Sequence, residues 1–220
     1  SEGVWHIHGA RFDEFVRRAD LPPRVRPERA DRPSANWAAI EDYPPDAIAR
    51  HGGAYDLIVL GRPAGNGAVM DQLIAESALF ATGRPVLVAP PTPPRNLGER
   101  VLIGWNRSAP AARAFHAAKS LLLERAKQVR ILSITTGAKS GPSANEVADN
   151  LAWHGIAAEV REVSPDHRSI GNVLLAEASA IGADLLVMGA YSQSRLRQMV
   201  LGGVTKEILA NAALPVFMAH

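Results

Sequence analysis

A strand–loop–helix–strand pattern occurs twice in this chain of 220 residues. Asp56 and Asp184 begin the two copies, and Pro85 and Pro215 precede the short apolar strands that end them. The aspartates are 128 residues apart and the prolines 130 residues apart, which is explained by a two-residue insertion in the loop. An internal repeat of this kind restricts the chain to folds built from two related α/β units.

A proline-rich stretch separates the two copies. It reads PPTPPRNLG over residues 90–98. Closely spaced prolines fix the backbone and remove hydrogen-bond donors, so neither a helix nor a central strand can cross this stretch. We therefore predict a partial domain over residues 1–90, a linker over residues 91–99 and a complete domain over residues 100–220.

The second half alternates strands and helices in a βαβαβαβαβ order. Apolar runs predict strands, and apolar stripes at helical spacing predict helices. Ser143 and Glu146 form a capping box, and Gly182 suits the end of a helix. Right-handed crossovers and short loops make this an open, doubly wound parallel sheet of five strands. The predicted strands are residues 100–105, 129–134, 156–163, 185–188 and 216–218.

The first half is incomplete by comparison. The patterns predict helices over residues 11–19, 46–51 and 70–81, and strands over residues 36–40, 57–60 and 86–88. Counterparts of the first strand, first helix and second strand of the later half are missing. Either the chain is a fragment, or it begins within a degenerate domain.

Composition excludes several functional classes. The chain has 24 Lys+Arg against 22 Asp+Glu, a net charge of +2, so charge does not point to nucleic-acid binding. It has no Cys, which removes thiol catalysis and cysteine-based zinc sites, and agrees with a cytoplasmic location. No apolar run reaches the roughly 18 residues of a membrane span.

A ligand crevice is expected where the strand order reverses. For the order 3-2-1-4-5, this point lies beyond the carboxyl ends of the first and fourth strands. Asn106 follows the first of these, and the loop starting at Gly189 follows the other. Gly202 and Gly203 stand near the start of the last helix, where free backbone N–H groups favour a phosphate. The alternative is that the two glycines only form a tight turn.

The same residues resemble the universal stress protein family. Residues 183–208, ADLLVMGAYSQSRLRQMVLGGVTKEI, carry the strongest likeness, and residues 101–108, VLIGWNRS, are similar to the family's opening strand and turn. The resemblance covers residues 100–220, and more faintly residues 36–90. It implies a tandem of two adenine-nucleotide alpha-hydrolase-like domains with strand order 3-2-1-4-5. It also implies dimers through the last strand, or pairing of the two halves within one chain as a pseudo-dimer.

The nucleotide-binding branch of that family has Gly, two residues, Gly, nine residues, then Gly followed by Ser or Thr. Gly189 and Gly202 match, but Ser192 replaces the second glycine and Gly203 replaces the final hydroxyl residue. Asn106 stands where the family has an Asp that contacts the nucleoside. The resemblance therefore implies a weakened ATP site, with Mg²⁺ bound only together with ATP, and no site in the first half. The candidate cofactor-binding residues are Asn106, Gly189, Ser192, Gly202, Gly203 and Val204.

Three functions are consistent with these observations. The first is a non-catalytic stress-response module that binds an adenine nucleotide. The second is an interaction and dimerisation scaffold that binds no nucleotide. The third is a slow ATP hydrolase, against which stand the missing acidic cluster for Mg²⁺ and the missing base near the loop. We expect no catalytic residue, no resident metal site, and no membrane or nucleic-acid partner.

Overall fold

The computed structural model describes residues 2–23, 32–62, 68–134, 140–191 and 203–220, which form two compact units, residues 1–43 and 44–220. The first unit contains helix α1 (Glu2–Arg18), which includes the helix predicted over residues 11–19. The strand predicted over residues 36–40 is wrong, because these residues are irregular. Trp37 and Ile40 are each more than 40% exposed, so this apolar run is not buried in a sheet.

The second unit contains a sheet of seven strands with helices on both faces. Its helices are α2 (Pro44–His51), α3 (Ala68–Ala81), α4 (Ala109–Leu121), α5 (Ala144–Ala152), α6 (Ile170–Ala180) and α7 (Gly203–Asn211). Its strands are β1 (Ile58–Gly61), β2 (Val86–Ala89), β3 (Arg100–Trp105), β4 (Gln128–Ile134), β5 (Ala158–Val163), β6 (Leu185–Gly189) and β7 (Val216–Ala219). No described helix has the length and apolar character needed to cross a bilayer.

The strand order is β1-β2-β7-β6-β3-β4-β5. The five strands of the second half, β3 to β7, therefore follow the predicted order 3-2-1-4-5 and are parallel to one another. β2 joins them by pairing antiparallel with β7. Residues 91–99 are irregular, as the prolines predict, but the strands before and after them belong to one sheet.

Side-chain caps fix where the helices of the second half begin. The Ser143 hydroxyl accepts a hydrogen bond from the Glu146 N–H, and the Glu146 carboxylate accepts one from the Ser143 N–H, which confirms the predicted capping box of α5. Ser108 and Ser169 cap α4 and α6 in the same way. Gly182 follows α6 with a φ of +59°, the left-handed conformation predicted for it.

The repeat seen in the sequence has the same register in both halves. β1 and β2 pair from Ile58 opposite Val86, and β6 and β7 pair at the equivalent positions, Leu186 opposite Val216. The Ile58 N–H donates to the Pro85 carbonyl at 3.1 Å, and the Leu186 N–H donates to Pro215 at 3.0 Å. The two prolines thus occupy equivalent places at the entrance of equivalent strands.

Apolar side chains from both faces of the sheet form two cores. On one face, strand residues such as Val101, Val187 and Phe217 pack against α4 and α5. On the other face, strand residues such as Leu102 and Met188 pack against α3, α6 and α7. Burial on both faces explains why the central strands are continuous apolar runs rather than alternating ones.

Candidate functional site

The predicted crevice lies where β3 and β6 end side by side. These strands are parallel neighbours, with Gly104 opposite Met188. The chain leaves β3 for α4 and β4 on one side, and leaves β6 for α7 and β7 on the other. The strand order therefore reverses between β3 and β6, which is the place at the carboxyl edge of an open α/β sheet where ligands are expected to bind.

Asn106 is tied to the turn that leads into α4. Its Oδ1 accepts hydrogen bonds from the Ser108 N–H at 3.2 Å and from the Ser108 hydroxyl at 2.7 Å. The Ser108 hydroxyl in turn accepts from the Ala111 N–H at 3.2 Å. Because a backbone N–H can only donate, the oxygen of the Asn106 amide must face Ser108, which leaves the NH₂ group available at this half-buried position.

Gly189 is required by packing at the end of β6. A Cβ at this position would lie 2.4 Å from the Ala111 nitrogen and 2.7 Å from the Pro110 carbonyl carbon. No side chain fits so close to backbone atoms, so the first turn of α4 can approach β6 only because residue 189 is a glycine. This structural role accounts for a glycine that sequence reasoning assigned to nucleotide binding.

Gly203 and Val204 are the first described residues of α7. Gly203 is exposed, and a Cβ built on it would meet no atom of the described residues within 4 Å. Val204 is half-buried and packs against the core on the α6–α7 face. Ser192 and Gly202 lie outside the described residues, as do residues 63–67 of the corresponding loop in the first half.

Three aromatic rings that sequence reasoning missed meet beside the crevice. Phe80 of α3 lies 4.4 Å from the Tyr191 ring and 4.6 Å from the His220 ring, measured between centroids. Tyr191 lies two residues after the end of β6 and has a φ of +60°. No sequence signal links these rings, because their contact depends on the antiparallel pairing of β2 with β7.

The Tyr191 hydroxyl is buried and has no hydrogen-bond partner among the described residues. Burial raises the pKa of Tyr191, and the negative charge of the nearby Glu76 carboxylate raises it further. The phenol therefore stays neutral at physiological pH and has a proton to donate. The aromatic group joins α3 of the first half to the start of the loop predicted to bind a ligand.

Trp105 packs at the end of β3. It is 3% exposed, its indole N–H donates to the Pro142 carbonyl at 2.9 Å, and its ring meets Phe115 edge-on at 6.2 Å. His154 closes the end of α5, where its Nδ1 lies 2.8 Å from the Asn150 carbonyl oxygen. Within the described ranges, no three acidic or histidine side chains cluster closely enough to hold a metal ion.

Comparison with known proteins identifies relatives of this architecture. A sequence profile described as the universal stress protein family matches residues 98–220, more than half of the chain. A search of curated protein sequences finds no significant match.

Solved structures share the fold at low sequence identity. A universal stress protein from Archaeoglobus fulgidus DSM 4304 has 20% identity and a TM-score of 0.59, covering 87% of this chain and 70% of its own. A functionally unknown protein from Pseudomonas aeruginosa PAO1 has 14% identity and a TM-score of 0.61, covering 96% and 76%. A universal stress protein solved in complex with cAMP has 20% identity and a TM-score of 0.43, covering 56% and 97%. The profile match and the strand order agree, and the chain belongs to the universal stress protein family.

Proposed function

We propose that this chain is a non-catalytic stress-response module whose second half binds an adenine nucleotide at the carboxyl ends of β3 and β6. The observation that carries the proposal is the reversal of strand order at β3 and β6, together with α7, whose described residues begin at Gly203. The first turn of a helix presents unpaired N–H groups and the positive end of the helix dipole. Because no atom of the described part of the chain lies within 4 Å of a Cβ at Gly203, a phosphate is expected to be able to approach the backbone there.

Asn106 is expected to weaken this binding. A carboxylate at this position can accept hydrogen bonds from a nucleoside through a second oxygen. The single oxygen of the Asn106 amide already accepts two hydrogen bonds from Ser108. Asn106 therefore offers the ligand only N–H donors and no charge, which supports a weakened site rather than a tight one.

The pairing of β2 with β7 supports a proposal about how the two halves assemble. The last strand of each half pairs with that of the other within one chain. We propose that this intramolecular pairing takes the place of a homodimer interface through the last strands. Lack of cysteine supports the further proposal that the protein works in the cytoplasm.

The second candidate is a scaffold that binds no nucleotide. The matching residue Gly189 has a structural explanation, since the packing of α4 requires a glycine there. The altered residue Asn106 has its amide oxygen occupied by Ser108. Retention of Gly189 then requires no ligand. The two candidates make opposite predictions for a titration with ATP.

Calorimetric titration of ATP, with and without Mg²⁺, tests the proposal. The proposed function predicts saturable heat below millimolar ATP, and a Gly203→Val variant that binds at least about tenfold more weakly, equivalent to about 1.4 kcal/mol. Gly61→Val is the matched control, because a Cβ at Gly61 also meets no described atom within 4 Å but lies in the other half. Absence of heat with folded protein favours the scaffold, whereas phosphate release well above background favours a hydrolase.

A further inference from the structure

The turn that follows β3 has free hydrogen-bond donors, but its side-chain oxygens are already engaged. The Asn106 Oδ1 accepts from the Ser108 N–H and from the Ser108 hydroxyl, which occupies both of its lone pairs. The Ser108 hydroxyl oxygen accepts from the Ala111 N–H at 3.2 Å, and the Ser108 carbonyl accepts from the Ala112 N–H at 3.0 Å. Among the described residues, no group accepts from the NH₂ of Asn106, so this end of the crevice can donate to a ligand.

Arg107 adds a positive charge to the same turn. It lies between Asn106 and Ser108 and is half-buried. Hydrogen bonds from the Ser143 N–H and hydroxyl lower the pKa of Glu146, and the charge of Arg107 lowers it further. The Glu146 carboxylate binds Ser143 at 2.8 Å, and within the described ranges Arg107 forms no ion pair. The guanidinium group is therefore available to an anionic ligand.

The backbone of Arg107 is held in a conformation that arginine rarely adopts. Its φ is +61°, in the left-handed region that favours glycine. A Cβ at Gly141 would lie 2.5 Å from the Arg107 carbonyl oxygen, and the Trp105 indole N–H donates to the Pro142 carbonyl at 2.9 Å. Residues 141 and 142 thus pack on this turn and fix it. Strained residues that their surroundings hold in place cluster at ligand-binding sites.

A free ribose hydroxyl and a phosphate on the ribose require different partners. A hydroxyl group has a proton to donate, whereas a phosphate carries negative charge and several acceptor oxygens. In dinucleotide-binding sheets of the doubly wound type, a carboxylate binds the free hydroxyl and an arginine accommodates a ribose phosphate. The Asn106 NH₂ and the Arg107 guanidinium supply donors and positive charge, so they match the phosphate.

On the basis of the proposed nucleotide site, we propose that its ligand is an adenine nucleotide with a phosphate on the ribose 2′ or 3′ oxygen, which Asn106 and Arg107 bind. The 5′-phosphate would lie toward α7 at Gly203, which follows β6, and the sugar would lie toward the end of the neighbouring strand β3. Arg107 is then a specificity-determining residue. ATP has both ribose hydroxyls free and is expected to bind more weakly than such a ligand.

Calorimetric titration of the whole protein with three related ligands tests this inference. ADP, adenosine 3′,5′-bisphosphate and adenosine 2′,5′-bisphosphate each have one adenosine and two phosphate groups, and they differ in where the second phosphate is attached. One of the two bisphosphates is expected to bind at least about tenfold more tightly than ADP, equivalent to about 1.4 kcal/mol. The tighter of the two identifies the ribose oxygen that carries the phosphate.

Arg107→Met is expected to abolish this preference. It should weaken binding of the preferred bisphosphate at least about tenfold and change the affinity for ADP by about twofold or less, because only the ribose phosphate contacts Arg107. Arg168→Met is the matched control. Arg168 is exposed and follows β5, which ends at the same edge of the sheet but is separated from β3 by β4. Removing its charge is expected to leave the preference unchanged.

Two further variants separate binding from folding. Glycine adopts a φ of +61° without strain, so Arg107→Gly is expected to raise the urea midpoint while it abolishes the preference. A fall in both stability and affinity would give Arg107 a folding role and overturn the inference. Asn106→Asp replaces the NH₂ group by an oxygen that accepts from a hydroxyl, so it is expected to shift the preference toward ADP.

The titrations also distinguish this inference from the proposed function. ADP binding that equals or exceeds the binding of both bisphosphates overturns the inference and leaves the proposed function intact. A preference that survives Arg107→Met overturns it too, because the ribose phosphate would then be bound by other residues. Absence of heat with ATP, ADP and both bisphosphates, in folded protein, overturns the inference and the proposed function together.

Discussion

Leu87 and Phe217 occupy equivalent positions of the repeat and pair with each other across the antiparallel contact of β2 with β7. On either side of them, Val86 pairs with Met218 and Val88 pairs with Val216. Val86 is the equivalent of Val216, and Val88 is the equivalent of Met218, so exchanging the two halves converts one pair into the other. An approximate two-fold axis therefore passes between Leu87 and Phe217. This is the symmetry of an isologous dimer interface, realised inside one chain.

This contact is expected to make the two halves of the sheet unfold together. Phe217 is fully buried, so Phe217→Ala is predicted to lower the free energy of unfolding by about 3–5 kcal/mol. Hydrogen exchange should then show the amides of β1 and β2 losing protection together with those of β6. Val59→Ala, at an exposed position, is the control and should change stability by about 0.5 kcal/mol or less. Unchanged protection of β1 and β2 in Phe217→Ala would show that the halves unfold independently.

Gly61 and Gly189, the last residues of the equivalent strands β1 and β6, are predicted to respond differently to alanine. Gly189→Ala forces a Cβ against the Ala111 backbone and should destabilise the protein by about 1–3 kcal/mol or more. The new Cβ of Gly61→Ala meets no atom among the residues that the structure describes, so this change should be neutral, or stabilising by up to about 1 kcal/mol through the unfolded state. Urea denaturation of the two variants measures the difference. Equal destabilisation would contradict the assignment of Gly189 to helix packing.

An ion network beneath α6 supplies a third prediction. The Glu177 carboxylate accepts hydrogen bonds from Arg130 at 2.7 Å and from Arg161 at 3.0 Å, and the Glu177 side chain is only 10% exposed. Glu177→Ala removes both hydrogen bonds and should cost about 1.5–3 kcal/mol in urea denaturation. Arg161 is 51% exposed, so Arg161→Ala should cost about 1 kcal/mol or less. A larger loss for Arg161→Ala would mean that its alkyl chain, rather than its charge, is the stabilising part.

Acid is predicted to destabilise the folded protein through His116 of α4. Partial burial lowers the pKa of His116, and the charges of Lys119 and His154 lower it further. The folded state thus prefers neutral His116, so its stabilising contribution is complete above the unfolded-state pKa and is lost as pH falls through the lower folded-state pKa.

Urea midpoints at about pH 8 and about pH 5 measure this effect, since histidine titrates between them. His116→Gln should reduce the loss of stability at the lower pH. Lys119→Met should also reduce it, because it removes the neighbouring ammonium group. An unchanged pH dependence in both variants would place the acid sensitivity elsewhere.

Much of the fold was predictable because its signals are local. The Ser143–Glu146 capping box, the Gly182 helix end and the apolar strands of the second half are each specified by a few neighbouring residues, and these predictions were confirmed. The strand predicted over residues 36–40 failed because an apolar run does not reveal whether a sheet is present to bury it. The joining of both halves in one sheet also depends on a long-range pairing, which no local pattern specifies.

The candidate site was harder to predict because a glycine can serve either ligand binding or close packing, and the sequence does not distinguish the two. Gly189 fits a nucleotide motif, but the structure shows that close packing of α4 alone requires a glycine there. The Phe80–Tyr191–His220 cluster had no signal, because its members are brought together by chain segments far apart in sequence. The expectations for Ser192 and Gly202 stay predictions.

The position of β7 has a consequence for synthesis on the ribosome. β7 is the last described strand along the chain, yet it lies inside the sheet between β2 and β6. β1 and β2 are synthesised first. The edge of β2 that pairs with β7 stays uncovered until residues 216–219 emerge from the ribosome. A stalled chain that lacks these four residues would hold two separate sheets and expose two unpaired inner edges, the kind of surface that chaperones recognise and that aggregates form from.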